Sequence, residues 1–132
     1  MKIITLLLLI ISLNFNVRAE LIKADPSIDP KEVIQIQLNA LKVNNSPFKD
    51  AGIAQTWEFA HPNNRKFTGP LENFTKMMYS DSYSVMLNHL ENNIIMVSAE
   101  DNKSFYFVEI LDKNNKKFGF TWVVEQVLED RQ

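Results

Sequence analysis

The stretch that best indicates the fold of this chain runs from Asp50 to Tyr83 and has the sequence DAGIAQTWEFAHPNNRKFTGPLENFTKMMYSDSY. Apolar residues in its first part recur at helical spacing, from Ile53 to Trp57 and Ala60. Asp50 stands where an N-cap is expected, because a side-chain oxygen there can accept a hydrogen bond from a free backbone N–H. The pattern predicts a helix that begins after Asp50 and ends near Ala60.

The middle of the stretch predicts a corner. His61 precedes a proline, and a residue in that position is held away from the helical region, so we expect the helix to stop there. Pro62 to Asn64 is typical of a turn. A short helix is predicted to open at Pro70, with Phe74 and Met78 on its inward face.

Upstream of this stretch, a first helix is predicted between Asp29 and Val43. Asp29 is a suitable N-cap, Pro30 suits the first helical position, and Glu32 completes a capping box. The chain therefore begins its folded part with three helices.

Downstream, the hydrophobic period changes from helical to alternating. Four strands are predicted, at Tyr83 to Leu90, Asn93 to Ala99, Ser104 to Leu111 and Lys117 to Val127. In the last of them one face carries large apolar side chains, at Phe118, Phe120, Trp122 and Val124. The predicted fold class is α+β, with three N-terminal helices packed on a curved antiparallel sheet of about four strands.

The first residues predict export. Lys2 is followed by an apolar run from Ile3 to Leu13, which is shorter than the about 20 residues needed to span a bilayer. Val17 to Ala19 is typical of a signal-peptide cleavage site. We expect a signal peptide over residues 1–19, a short leader over residues 20–28 and a single domain over residues 29–132. The mature protein would be periplasmic or secreted, with no stable membrane anchor.

Composition excludes several functions. Loss of Lys2 and Arg18 with the signal peptide leaves 12 basic and 16 acidic residues, a net charge of −4, which argues against a nucleic-acid partner. The chain has no cysteine, which rules out a thiol nucleophile and cysteine-based metal sites. We predict no cofactor, no metal site and no assignable catalytic residue.

The side chains that remain as candidates are expected to surround an apolar pocket between the helices and the sheet. They are Trp57, His61, Tyr79, Tyr83, Glu109 and Trp122. The pattern favours a non-catalytic module that binds a small apolar ligand or a protein partner. One alternative is a cofactor-free acid/base enzyme that uses Glu109 or His61 in this pocket. Another is a structural homodimer formed through the sheet.

Four blocks of the sequence resemble the exported and organellar proteins of domain-of-unknown-function family 4864. These blocks are VIQIQLNAL at 33–41, AGIA at 51–54, FAHPNNR at 59–65 and TGPL at 68–71. The resemblance implies a place in the nuclear transport factor 2-like superfamily and its cone-shaped α+β fold, with no established activity. His61 stands where a small residue is usual. The resemblance also leads us to expect a closing strand after a segment like residues 125–132, where this sequence ends.

Overall fold

The computed structural model describes residues 20–128, so the predicted signal peptide at residues 1–19 and the polar end at residues 129–132 lie outside it. Four helices precede three strands, and the α+β class is confirmed. The elements are α1 Pro30–Lys42, α2 Ala51–Glu58, α3 Pro62–Thr68, α4 Leu71–Met78, a 3₁₀ turn Ser84–Met86, β1 Glu91–Glu100, β2 Lys103–Leu111 and β3 Lys117–Glu125. Within residues 20–128, no helix combines the length and hydropathy needed to cross a membrane.

Helix α1 begins directly after Asp29, the predicted N-cap. The side chain of Asp29 accepts a hydrogen bond from the backbone N–H of Lys31 at 3.0 Å, and Pro30 occupies the first turn. Ile34 and Leu38 lie one turn apart on its inward face and are fully buried.

The predicted turn at Pro62 to Asn64 is wrong, because these residues form the first turn of α3. His61 is the N-cap of that helix, and its Nδ1 accepts a hydrogen bond from the backbone N–H of Asn63 at 3.1 Å. A residue before proline is extended both where a helix ends and where the next one is capped. Residues 20–128 therefore contain four helices where three were predicted.

The predicted strand from Tyr83 to Leu90 is also wrong. Its centre is the 3₁₀ turn, and Asn88 has a φ of 58°, in the left-handed region that an extended strand does not contain. Met86, Leu87 and His89 are all buried, so burial here does not alternate as it does in a half-buried strand. The sheet consequently has three strands where about four were predicted.

The sheet is an antiparallel meander in the order β1-β2-β3. Ile95, Phe107 and Thr121 lie side by side in its central row and point away from the helices. The register of β1 shifts between Met96 and Ser98, so Val97 forms a bulge in that edge strand.

The core lies between the helices and the inner face of the sheet and has two parts. One is built from Ile34, Leu38, Tyr106, Val108 and Ile110. The other is built from Leu41, Ile53, Phe74, Met78, Met86 and Leu87. Phe120 and Trp122 of β3 pack against both parts, so β3 is the strand that joins them.

Candidate binding cleft

A cleft of about 1470 Å³ lies between the helices and β3, and residues 120–125 of that strand all line it. Its apolar wall is formed by Val33, Phe74, Met77, Met86, Phe120 and Trp122. Methionine side chains are unbranched and polarisable, so this wall can adapt to occupants of different shape. The surface is therefore suited to burying apolar groups.

Gln37 fixes the position of Trp122 in this wall. It is buried in α1, and its Oε1 accepts a hydrogen bond from the indole N–H of Trp122 at 3.0 Å. Its Nε2 donates to the carbonyl of Thr56 in α2 at 3.2 Å. One amide thus links α1, α2 and β3, and leaves the apolar part of the indole facing the cleft.

His61 and Glu125 meet at the cleft margin. Nε2 of His61 lies 2.9 Å from Oε2 of Glu125, and both side chains are about a quarter exposed. Nδ1 accepts from the N–H of Asn63, which can only donate, so Nδ1 carries the lone pair and the proton of the neutral ring sits on Nε2. Neither nitrogen keeps a free lone pair with which to act as a base.

Arg65 lies beside the cleft and closes the C-terminus of α2. Its Nη2 donates to the carbonyls of Trp57 at 2.7 Å and Glu58 at 3.0 Å, and its Nε donates to Ala60 at 3.2 Å. The guanidinium also lies 5.1 Å from the centre of the Trp57 ring, within cation–π range. The last carbonyls of a helix lack their usual partners inside the helix, and Arg65 supplies donors to them.

The leader over residues 20–28 borders the cleft and is tied to the domain. The side-chain amide of Gln55 exchanges two hydrogen bonds with the backbone of Ile22, at 2.7 and 2.8 Å. Nε2 of Gln126 donates to the carbonyl of Pro26 at 3.1 Å. Ala24 to Pro30 line one side of the opening as a result.

Three of the six predicted pocket residues line the cleft, and three lie elsewhere. Those that line it are His61, Tyr83 and Trp122, and those that do not are Trp57, Tyr79 and Glu109. The Trp57 ring instead packs against Phe74, with the ring centroids 5.0 Å apart. Gln37 and Gln55 were missed by the sequence analysis because a lone glutamine on a helix carries no pattern that distinguishes a buried bridge from a solvated side chain.

Tyr79 is half-exposed, and its hydroxyl donates a hydrogen bond to Oδ1 of Asp50. This hydrogen bond to a carboxylate raises the pKa of Tyr79 above its ordinary value, and partial burial adds to the shift. Asp50 therefore does not cap α2 with its side chain, as the sequence suggested. Oδ1 of Asn44 performs that role by accepting from the N–H of Ile53 at 3.0 Å.

Glu109 lies on the outer face of the sheet, between Asn93 of β1 and Gly119 of β3. It is partly exposed and shares that face with Phe107. The sheet separates its carboxylate from the cleft, so Glu109 cannot contact a molecule bound there.

His89 lies just after the 3₁₀ turn and is buried. It is 2% exposed, with Nδ1 2.7 Å from the carbonyl of Met86 and Nε2 2.9 Å from Nδ2 of Asn92. The carbonyl requires the proton on Nδ1, so Nε2 accepts from the amide of Asn92. Burial lowers the pKa of His89 below 6.5, and the positive charge of Lys42 lowers it further, against the opposing effect of the Met86 hydrogen bond.

The stability of the protein should therefore fall in mild acid. A histidine with a depressed pKa in the folded state stabilises the fold fully above its unfolded pKa, about 6.5, and this contribution is lost as pH falls through the folded pKa. Chemical denaturation of the wild type between pH 7.5 and 5 should show a decreasing free energy of unfolding. His89→Gln should have a shallower pH dependence than the wild type, because it removes the buried imidazole. An unchanged slope in His89→Gln would contradict this assignment.

Within residues 20–128, no group of three or more His, Asp or Glu side chains is placed to hold a metal ion. No family model, curated protein or solved structure matches this chain.

Proposed function

We propose that this protein is a non-catalytic binding module whose cleft takes a small apolar ligand, or an apolar segment of a protein partner. The observation that carries the proposal is the pairing of an open apolar wall with polar neighbours that are already satisfied. Burial of apolar surface, at about 25 cal/mol per Å², would then supply the affinity. Polar contacts would contribute little to the binding affinity.

The hydrogen bonds around the cleft support this proposal. Gln37, His61 and Arg65 each direct their polar atoms to partners within the domain. Among the described residues, no buried side-chain nitrogen or oxygen lacks a hydrogen-bond partner. A polar ligand that reached Gln37, His61 or Arg65 would have to displace one of these internal bonds, which an apolar ligand does not require.

An acid/base enzyme receives less support from the same geometry. The two groups considered for that role are Glu109, which lies across the sheet from the cleft, and His61, whose two nitrogens are both engaged. A general base must reach the proton that it removes with a free lone pair.

The proposal can be tested with a series of straight-chain alcohols of increasing length. Each added methylene that enters the cleft should contribute about 0.8 kcal/mol, so affinity should rise about fourfold per carbon. Binding can be followed through Trp122 fluorescence in a Trp57→Phe background, since the chain has two tryptophans.

The matched variants replace one methionine in the cleft and one outside it. Met77→Glu places a charge on the apolar wall and should weaken binding at least about tenfold. Met96→Glu is the control, because Met96 is exposed on β1 and does not line the cleft. Equal affinities for the two variants, or an affinity that does not depend on the length of the alcohol, would contradict the proposal.

A second candidate is a structural homodimer formed through the outer face of the sheet. The observation in its favour is a row of exposed apolar residues on that face, Ile95, Phe107 and Val123, which are 43%, 39% and 50% exposed. Single exposed apolar residues are common, but a cluster on one flat face is typical of an interface.

We also propose that the chain is exported and that its fold is the cone of the nuclear transport factor 2-like superfamily. The FAHPNNR and TGPL blocks support the fold assignment. The position of the helices on one face of an antiparallel sheet, with a cleft between the two layers, is consistent with it.

A further inference from the structure

Strand β3 is a regular edge strand that no other strand of residues 20–128 covers. It pairs with β2 on one side over nine consecutive residues without a register shift. The opposite edge is different, because the bulge at Val97 interrupts β1. A bulge hinders the pairing of an edge strand with another chain, whereas a regular edge strand presents a row of free backbone N–H and C=O groups.

We infer that two copies of this chain pair antiparallel along β3, about a two-fold axis at Thr121. The support is the self-complementary sequence KFGFTWVVE at 117–125. A two-fold axis at Thr121 places each residue of one copy opposite a residue of the second copy. The two residues of such a pair lie equally far from Thr121, one before it and one after it. Four pair types that stabilise antiparallel sheets then arise together.

The charged residues at the two ends of the strand form the first pair type. Lys117 lies opposite Glu125 of the second copy, and the two-fold repeats this pair at the other end. Oε1 of Glu125 can accept from Lys117 of the second copy, because the contact with His61 uses Oε2. Opposite charges directly across a strand pair are favourable, and a shift of the register by one residue would separate them.

The other pair types fill the middle of the strand. Phe118 lies opposite Val124, Phe120 opposite Trp122, and Thr121 opposite its own copy, so each residue meets a partner on the same face of the sheet. The strand registers already present put Phe120 and Trp122 on the inner face and Thr121 on the outer face. The result is one six-stranded sheet with β3 of both copies at its centre.

This arrangement also affects the cleft. Phe120 and Trp122 line it, so β3 of the second copy would continue its wall with the same two side chains. The pairing would therefore extend the apolar surface of both copies. It would leave the outer face of the sheet uncovered, which distinguishes this edge-to-edge pairing from a dimer formed through that face.

Cysteine cross-linking tests the register, since the chain has no cysteine of its own. Thr121→Cys places two thiols across the axis with Cα atoms about 5 Å apart, within the range that a disulfide spans. Mild oxidation of the full chain should convert most of this variant to a covalent dimer. Val123→Cys is the matched control on the same exposed face, because its two copies would lie about 13 Å apart. Cross-linking of both variants to the same extent, or of neither, would overturn the proposed register.

Sedimentation equilibrium tests the interface independently. The wild type should dimerise, and Thr121→Lys should raise the dimer Kd at least about tenfold by placing like charges across the axis. Ile95→Lys introduces the same charge in the same row but at the other edge, and it should leave the Kd unchanged. A monomeric wild type overturns the inference. So does a dimer that is lost in Ile95→Lys and kept in Thr121→Lys, which would identify the outer face as the interface.

Discussion

Gly52→Ala should lower the free energy of unfolding by about 3 kcal/mol, although alanine usually stabilises a helix relative to glycine. Gly52 lies in the first turn of α2, where the helix crosses the end of α1. A Cβ there would clash with the carbonyl oxygen of Ala40 and would lie 2.8 Å from Oδ1 of Asn44. A backbone oxygen inside a helix cannot rotate away, so α1 and α2 would have to separate.

Thermal unfolding followed by circular dichroism measures this effect, and a loss of about 10 °C or more is expected. Gly119→Ala is a suitable comparison, because its Cβ would meet only the ring of Phe107 on the exposed face of the sheet. That side chain can turn aside, so the loss should be less than about 1 kcal/mol. If Gly52→Ala were neutral or stabilising, the close packing of α1 on α2 would be wrong.

Asn44→Ala should be similarly damaging, with a loss of about 3 kcal/mol. Asn44 is 1% exposed and follows the end of α1. Its Oδ1 accepts from the N–H of Ile53, its Nδ2 donates to Oδ1 of Asp50 at 3.0 Å, and its backbone carbonyl accepts from Gly52 at 2.9 Å. Truncation to alanine removes the side-chain bonds and leaves a buried helix N-terminus without its cap.

The neighbouring asparagine supplies the control for this substitution. Asn45 is exposed and makes one side-chain hydrogen bond, to the N–H of Asp50 at 3.0 Å. Asn45→Ala should therefore lose about 1 kcal/mol or less in urea denaturation monitored by tryptophan fluorescence. Equal losses for the two variants would show that Asn44 is not the residue that joins α1 to α2.

These two positions bear on the cleft because α1 and α2 supply the groups that hold its wall in place. Gln37 reaches both Thr56 and Trp122 only if the two helices keep their present separation. A loosened α1–α2 contact should therefore weaken ligand binding even where the substituted residue lies outside the cleft. Binding of the alcohol series by Asn44→Ala offers a check, with Asn45→Ala as the reference.

Local sequence patterns were sufficient for the elements that depend on neighbouring residues. Asp29 and Pro30 start α1 as predicted, because a cap and a fixed φ act within one turn. The inward face of β3, with Phe120 and Trp122, follows from strict alternation along the strand. Arg65 likewise lies close in sequence to the carbonyls that it satisfies.

The same patterns failed where one local signal is compatible with two structures. His61 before a proline suits the end of one helix and the start of the next, and only its contacts with Asn63 and Glu125 identify the second. The segment from Tyr83 to Leu90 has the composition of a strand, but it follows α4 so closely that it packs as a buried turn. Both outcomes also depend on distant residues, because His61 contacts Glu125 and the backbone N–H of Asn88 donates to the carbonyl of Leu41.

The sequence by itself determined the α+β class, the inward face of the last strand and the absence of thiol chemistry, because composition and short-range periodicity control each of these. The tertiary structure alone decided that His61, Tyr83 and Trp122 share a cleft while Trp57, Tyr79 and Glu109 lie outside it. The physical reason is that a shared site requires side chains from distant segments to converge, as Gln37 and Trp122 do. Convergence depends on how helices and strands pack, and no local sequence pattern encodes which distant residues come into contact.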